Sequence, residues 1–225
     1  FNYLLQATET ELNMERLTKI LEYIKDTDVE LTLYSYDAFL FSYPIEGGAE
    51  HAKNLKKIVE VSNLLSKEDI TFIMSNLTLL GELRNEDETF NRSIYIAKRE
   101  NKLFTNLFDK CDNTFFEHFG KKLKSHELYF IKYYKGDYIK KHNDNWQTST
   151  SSGRLYSLVA QMTHPNLYKG GDTIVYGDKE VKLSKNQGDG IIFPSSTDHE
   201  LTEITEGIRF SFVVMFKETL KFPLL

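Results

Sequence analysis

His142 and Asp144 stand two residues apart, His199 follows much later in the chain, and Arg209-x-Ser211 comes soon after it. Two histidines and one carboxylate are the donor set of a facial triad that holds a non-haem Fe(II) ion and leaves positions open for O2 and a cosubstrate. An arginine with a hydroxyl two residues on is what a cosubstrate ending in a carboxylate requires. These residues point to a reaction and say much less about its target.

A lone His-x-Asp carries little weight, so the elements that must position it decide the matter. Residues two apart on an extended strand point the same way, which lets His142 and Asp144 grip one ion. His199 lies just past a strand expected at Gly190–Pro194, where a second strand end could bring it beside the pair. Ile208–Phe216 alternates, with Ile208, Phe210, Phe212, Val214 and Phe216 on one face and Arg209, Ser211, Val213 and Met215 on the other. Burying Arg209 on such a face calls for an anion. Tyr133 shares a face with Tyr129 and Ile131 on the strand before His142 and adds a phenolic donor. Plainer readings stand beside these. Arg209 could pair with an internal Glu or Asp, and His199 could be a capped surface histidine in a Thr-Asp-His-Glu turn. His51, His118, His126 and His164 have no ligand-like partner at strand spacing and read as ordinary histidines. Lys121, Lys122, Lys124, Lys140 and Lys141 read as a solvated basic surface, although Lys140 and Lys141 adjoin the site's mouth and could meet an acidic substrate.

From Glu127 onward, short strands alternate with Gly-containing turns. They are Glu127–Tyr134, Arg154–Met162, Thr173–Tyr176, Val181–Leu183, Gly190–Pro194 and Ile208–Phe216, divided by Gly136-Asp137, Gly170-Gly171-Asp172 and Gly188-Asp189-Gly190. That pattern predicts an antiparallel double-sheet jelly roll within an α+β chain, and not a βαβ array. Ahead of it, Ser66-x-x-Asp69 reads as a capping box opening a helix over Lys67–Leu77. Residues Thr8–Ile24 and Ala49–Val61 have helical periodicity, and Val29–Tyr43 reads as a strand pair ending at Pro44. A domain boundary is expected near residue 63, giving a small N-terminal α/β segment over 1–62 and a main domain over 63–225. The polar stretch Trp146–Gly153 follows the His-x-Asp pair and is expected to order over substrate, with Trp146 and Arg154 as candidate substrate residues.

Composition excludes several classes. With 40% hydrophobic and 27% charged residues the chain is ordinary for a globular protein, and 13% aromatics suit a β-rich core. A net charge of −5 gives no general reason to bind nucleic acid, and one cysteine, Cys111, rules out a disulfide framework or Cys-based metal site. That cysteine usage fits a reducing, cytoplasmic setting. No apolar run reaches membrane-spanning length, and the N-terminus lacks a signal peptide's basic and apolar regions. The chain opens at Phe1 rather than Met, as a piece of a longer chain would.

Residues 66–216 resemble the prolyl 4-hydroxylase-like branch of the 2-oxoglutarate and Fe(II)-dependent dioxygenases. The matching stretches are Tyr133-Tyr-Lys-Gly136-Asp-Tyr-Ile-Lys-Lys-His142-Asn-Asp144, Gly170-Gly-Asp-Thr173, Gly188-Asp-Gly-Ile-Ile-Phe-Pro194 and His199-Glu-Leu-Thr-Glu-Ile-Thr-Glu-Gly207-Ile-Arg209-Phe-Ser211. The resemblance implies a double-stranded β-helix, cupin-like, with flanking N-terminal helices. It implies iron held by His142, Asp144 and His199, and the distal carboxylate of 2-oxoglutarate held by Arg209 with Ser211 and Tyr133. It further implies an O2-dependent hydroxylation of a C–H bond, on a peptidyl prolyl or lysyl side chain, with release of succinate and CO2 and with ascorbate as a further requirement. Collagen-type members usually place Lys where this chain has Arg209; lysyl hydroxylases and several bacterial and viral relatives use Arg, which leaves proline as target open. A nucleobase or nucleic-acid oxygenase of the same fold is a rival reading, and a non-catalytic binding module a second.

Residues 1–62 bear a second likeness. Asn2-Tyr-Leu-Leu-Gln6-Ala-Thr-Glu-Thr-Glu-Leu12 and Leu33-Tyr-Ser-Tyr-Asp37-Ala-Phe-Leu-Phe41 resemble the C-terminal palm of phage-type family A DNA polymerases, with Asp37 at the metal-binding hairpin. Polymerase catalysis needs a second carboxylate, fingers and thumb, so this segment is expected to be a remnant without activity, or a helix–hairpin–helix cap. It also makes a viral source the expectation.

Overall fold

The structure is a computed structural model that describes residues 30–35, 38–42, 57–144 and 154–217. The chain divides into two compact units, Phe1–Leu55 and Lys56–Leu225. In the first, β1 (Glu30–Ser35) and β2 (Ala38–Ser42) form an antiparallel hairpin, with a register shift between Leu31 and Leu33. This is the strand pair that the β-branched and aromatic run predicts; the helix expected over Thr8–Ile24 lies outside the described residues.

The second unit begins with a departure from periodicity. Val59–Val61, expected to end a helix, form strand β3, which pairs with Ile192–Gly190. Its two valines pack against the main core, so tertiary pairing overrides a weak helical pattern. Helix α1 (Lys67–Asn76) follows, opened by the expected capping box: Ser66 Oγ accepts from Asp69 N at 3.1 Å, and Asp69 Oδ2 accepts from Ser66 N at 2.8 Å. Two strands that the sequence reading did not anticipate come next, β4 (Leu83–Glu86) and β5 (Phe90–Lys98), and then an unanticipated helix, α2 (Thr105–Phe119). Helix α2 lacks a side-chain N-cap and is rich in Phe, Thr and Asn, poor helix formers, so its signal is faint. What holds it is one apolar face, Leu107, Phe108, Cys111, Phe115 and Phe119, at the spacing of a buried stripe.

The rest is strand: β6 (Lys124–Tyr133), β7 (Tyr138–His142), β8 (Arg154–Gln161), β9 (Tyr168–Gly170), β10 (Thr173–Tyr176), β11 (Glu180–Lys182), β12 (Gly190–Pro194), β13 (Asp198–Leu201), β14 (Ile204–Gly207) and β15 (Arg209–Lys217). Hydrogen bonding runs in the order β11-β10-β13-β7-β5-β6-β15-β8-β12-β3, with β4 on β5 and a separate β14–β9 pair. The pairings are antiparallel. The sheet curls into a jelly roll, so that Ile139, Val175 and Leu201 from one side share a core with Ile131, Val159 and Val213 from the other. Outside the roll, α1 and α2 cover β6, β15 and β8, and Phe115 lies 4.7 Å from Phe216 and 5.0 Å from Tyr156. At the turn between β9 and β10, Gly171 has φ +61, and a Cβ there would sit 2.3 Å from Ile204 and 3.1 Å from the Arg209 side chain. Only glycine lets the chain turn beside Arg209. No helix among the described residues is long and apolar enough to cross a membrane.

Candidate metal and cosubstrate centre

Strand register explains how distant residues meet. His142 on β7 lies directly opposite His199 on β13, so their rings stand 4.3 Å apart between centroids. Asp144 lies just past β7, anchored to the end of β12 by its backbone N–H donating to Ser195 O at 2.8 Å. The ligand atoms of His142, Asp144 and His199 all lie within 4.8 Å of one another. His142 Nε2 is 3.6 Å from one Asp144 oxygen, and His199 Nε2 is 3.5 Å from the other.

The donor chemistry fits a metal. Each histidine turns Nδ1 to a backbone carbonyl, His142 to Lys140 O at 2.9 Å and His199 to Thr197 O at 3.1 Å. A carbonyl only accepts, so each Nδ1 carries the proton and each Nε2 presents a lone pair to the shared point. Ser157 Oγ donates to Asp144 Oδ2 at 2.7 Å and lies 2.9 Å from Ser195 Oγ. Phe90 meets His142 edge-on at 5.0 Å and Phe193 contacts His199 at 4.8 Å, which limits ring rotation. Burial pushes the Asp144 carboxyl up, but the adjoining His142 and His199 imidazoles and the Ser157 hydroxyl favour the ionised form, outweigh burial and hold the group down at about 2. Burial lowers the His199 imidazole below its ordinary 6.5 despite Asp144, which favours the neutral, ligating form. His199 is thus 7% exposed and faces the interior, not a capped surface residue.

A cavity of about 240 Å³ opens from this cluster, walled by β6, β15 and β8. Tyr129, Ile131 and Tyr133 line it from β6, and Ser211, Val213 and Met215 from β15, as their alternation predicts. Arg209 is 1% exposed. It donates to Ser211 Oγ and, through Nη2, to Thr173 Oγ1 at 2.9 Å, and its guanidinium lies 5.5 Å from the Tyr133 ring. No acidic group among the described residues pairs with it, and its Nε has no partner. The internal ion pair considered above is therefore absent among the described residues, and a full charge stands ready for an outside anion.

A model of the 2OG-Fe(II) oxygenase superfamily matches residues 128–217. A PKHD-type hydroxylase of Prochlorococcus marinus strain MIT 9211 is 30% identical over 166 residues, covering 66% of this chain and 73% of the relative. The chain belongs to the 2OG-Fe(II) oxygenases. A PKHD-type hydroxylase of Shewanella oneidensis is 24% identical over 172 residues, 68% of this chain and 75% of its own length. Among solved structures, a 2OG-Fe(II) oxygenase-family oxidoreductase from Burkholderia pseudomallei superposes with TM-score 0.61 at 16% identity, covering 76% of this chain and 90% of that one. A prolyl-4-hydroxylase from Pseudomonas putida gives 0.58 at 13%, covering 76% and 97%. At such identities these two structures speak for the fold alone. As a hydroxylase of this superfamily, the protein requires Fe(II) and 2-oxoglutarate.

Of the residues singled out from sequence, His142, Asp144, His199, Tyr133 and Ser211 line the cavity and Arg209 lies behind it; Arg154 also reaches the wall, and Trp146 lies outside the described residues. Of the other histidines, His51 lies outside the described residues, His164 caps a short turn through Nδ1, accepting from Asn166 N at 3.3 Å, and the His118 carbonyl accepts from Lys57. Lys141 reaches Asp198 at 3.9 Å and lies 4.0 Å over the Tyr176 ring, an exposed arrangement. Sequence reading missed Ser157, Ser195, Thr173, Phe90 and Arg92. Ser157 had one signal, a small polar residue inside an otherwise apolar strand; Phe90 and Arg92 had none, because β5 itself went unread.

Proposed function

We propose that His142, Asp144 and His199 hold Fe(II), that Arg209 receives the distal carboxylate of 2-oxoglutarate with Ser211 and Tyr133 beside it, and that the enzyme hydroxylates a C–H bond of a peptidyl prolyl or lysyl side chain. The observation that carries this reading is Arg209, a buried guanidinium with no anion among the described residues, held behind the cavity wall by Ser211 and Thr173, which line the same cavity as the His-Asp-His cluster. When bound, iron and cosubstrate supply the oxidising chemistry, with O2 consumed and succinate and CO2 released. The chain's own residues do the rest. Arg209 orients the cosubstrate bidentately, which a lysine could not. Thr173 and Ser211 fix the guanidinium plane, and Ser157 keeps the Asp144 carboxylate aimed at the ion. Ile131, Val159, Val213 and Leu201 exclude water from the space between, which strengthens each charge interaction there.

A peptide target is supported by a structural neighbour described as a prolyl hydroxylase in complex with a hypoxia inducible factor peptide fragment, and ascorbate is proposed as the reductant that keeps the iron ferrous. The domain reading, with a separate remnant segment ahead of the main domain, remains part of this proposal, its boundary drawn after Leu55 and not at residue 62 because Val59–Val61 join the main sheet. The test is succinate release dependent on added Fe(II) and 2-oxoglutarate, lost in Asp144→Ala, followed by mass analysis of proline- and lysine-containing peptides and of single-stranded DNA for the gain of one oxygen. Oxygen gained on DNA, and on neither peptide, would overturn the peptidyl target. Succinate release that survives Asp144→Ala would overturn the metal site.

A further inference from the structure

The cavity holds more positive charge than iron and cosubstrate account for. Besides Arg209 behind it, two arginines reach its wall: Arg92 from β5 and Arg154 from the start of β8. On β5, alternation sends Ser93, Tyr95 and Ala97 into the helix-covered core and turns Phe90 and Arg92 toward the cavity. The Arg92 guanidinium lies 4.4 Å over the Phe90 ring, and Phe90 in turn packs against His142, so this charge stands one ring away from the metal cluster. Arg154 donates to Tyr129 Oη at 3.3 Å, while Tyr129 gives its own proton to Glu127. Both arginines have a buried Nε without a hydrogen-bond partner.

Among the described residues, no ion pair answers either charge. The acidic residues lining the cavity are Asp144 and Glu200. Asp144 is committed to the two histidines and Ser157, and Glu200 accepts from Tyr176 Oη at 2.8 Å. Among the described residues no carboxylate forms an ion pair with Arg92 or Arg154. With the proposed cosubstrate bound, its two carboxylates match the iron site and Arg209, and the two remaining guanidiniums still have no ion pair among the described residues. A partly buried guanidinium with free donors is a receptor for a planar anion.

We infer that the cavity recognises a carboxylate carried by its substrate, on the target residue or next to it, with Arg92 and Arg154 as the residues that read it. The same charges repel a lysyl side chain, so prolyl is favoured over lysyl within the proposed activity. This inference rests on the Fe(II)/2-oxoglutarate reading of the site.

Binding to the full chain loaded with Mn(II) and 2-oxoglutarate is the readout, by calorimetry, so that no turnover is needed. The probes are peptides presenting proline or lysine flanked by glutamate or by glutamine, and free proline and lysine with the α-carboxyl either open or capped as an amide. The expected result is that carboxylate-bearing proline probes bind roughly ten- to hundredfold more tightly than their amide partners, the worth of a charge-assisted hydrogen bond. The gap should shrink in Arg92→Gln and Arg154→Gln and return in part in Arg92→Lys. Preference for glutamate-flanked peptides places the carboxylate on a neighbouring residue; preference for the open amino acid places it on the target itself. Equal binding of acid and amide partners, no binding by any probe, tighter binding of lysine probes, or a preference unmoved in both variants would overturn the inference. Thermal unfolding and 2-oxoglutarate affinity check that each variant folds. If the parent protein itself fails to bind 2-oxoglutarate with Mn(II), the underlying site reading has failed instead.

Discussion

The two faces of the β6–β15–β8 sheet are made by the same strands and do opposite things. On the outer face, Phe130, Phe212, Val214 and Phe216 meet Phe104, Phe108 and Phe115 from the helical side, all fully buried and closely packed. On the inner face, the intervening residues Tyr133, Ser211 and Met215 border a cavity, and Arg209 adds a buried charge behind it. One face therefore stores stability, and the other gives some up to hold a site. Two substitutions on opposite faces of β15, at Phe212 and Arg209, test this division. Phe212→Ala should cost about 3–5 kcal/mol in chemical denaturation, as large aromatic truncations in cores do, while leaving 2-oxoglutarate affinity intact below the unfolding transition. An unfolding cost below about 1 kcal/mol would mean that the outer face is not the stabilising one.

Arg209→Met reverses the pattern. Removing a buried guanidinium that lacks an anion relieves a desolvation cost, so the unliganded protein should be as stable as the parent or more so. Affinity for 2-oxoglutarate should fall roughly hundredfold, the cost of deleting one partner of a buried charge pair. Loss of stability in the unliganded variant would contradict the division. A smaller effect is expected one layer out. Ser157→Ala removes the hydroxyl that holds Asp144 Oδ2 and should weaken Fe(II) or Mn(II) binding about tenfold, the usual consequence of losing a residue that aims a metal ligand. Equilibrium dialysis reads this without turnover, and unchanged affinity would assign Ser157 to packing against Met215 and Ser195 alone.

The same contrast explains what the sequence could disclose. Alternation along Ile208–Phe216 assigned both faces of β15 correctly because a strand's period of two leaves no third option. The triad was legible through residue type plus the resemblance; its closeness was not, since the His142–His199 register is set by β13, a strand too short and polar to read as one. Helix α2 and strand β5 went unread for related reasons. Phe-rich helices and strands share composition, and the periodicity of α2 shows only once its partner face on β15 and β8 is known. With β5 hidden, Arg92 could not be placed at the site at all. Local chemistry was legible, and pairing between distant segments was not.

On α1, the helix that helps cover the outer face, Asp69 gives the smallest test and one whose sign is fixed. Burial pushes its carboxyl up, but the hydrogen bond with Lys110 and those with Ser66 at the start of α1 outweigh it, so its pKa in the folded chain lies below the ordinary 3.8. A carboxyl depressed on folding contributes stability that is present above its unfolded pKa and disappears as pH falls through the folded one. Asp69→Asn should therefore cost about 0.5–1 kcal/mol at pH 7, the scale of one capping interaction with a partly exposed ion pair. The difference from the parent should close as pH falls through the depressed folded-state pKa, below the ordinary 3.8. Urea midpoints measured from pH 7 downward give the curve. Because α1 seals the helix side of the sheet, the cavity face should be untouched, and 2-oxoglutarate affinity at pH 7 should match the parent. A variant that lost affinity would show that the two faces are coupled through this helix, which the separate cores argue against.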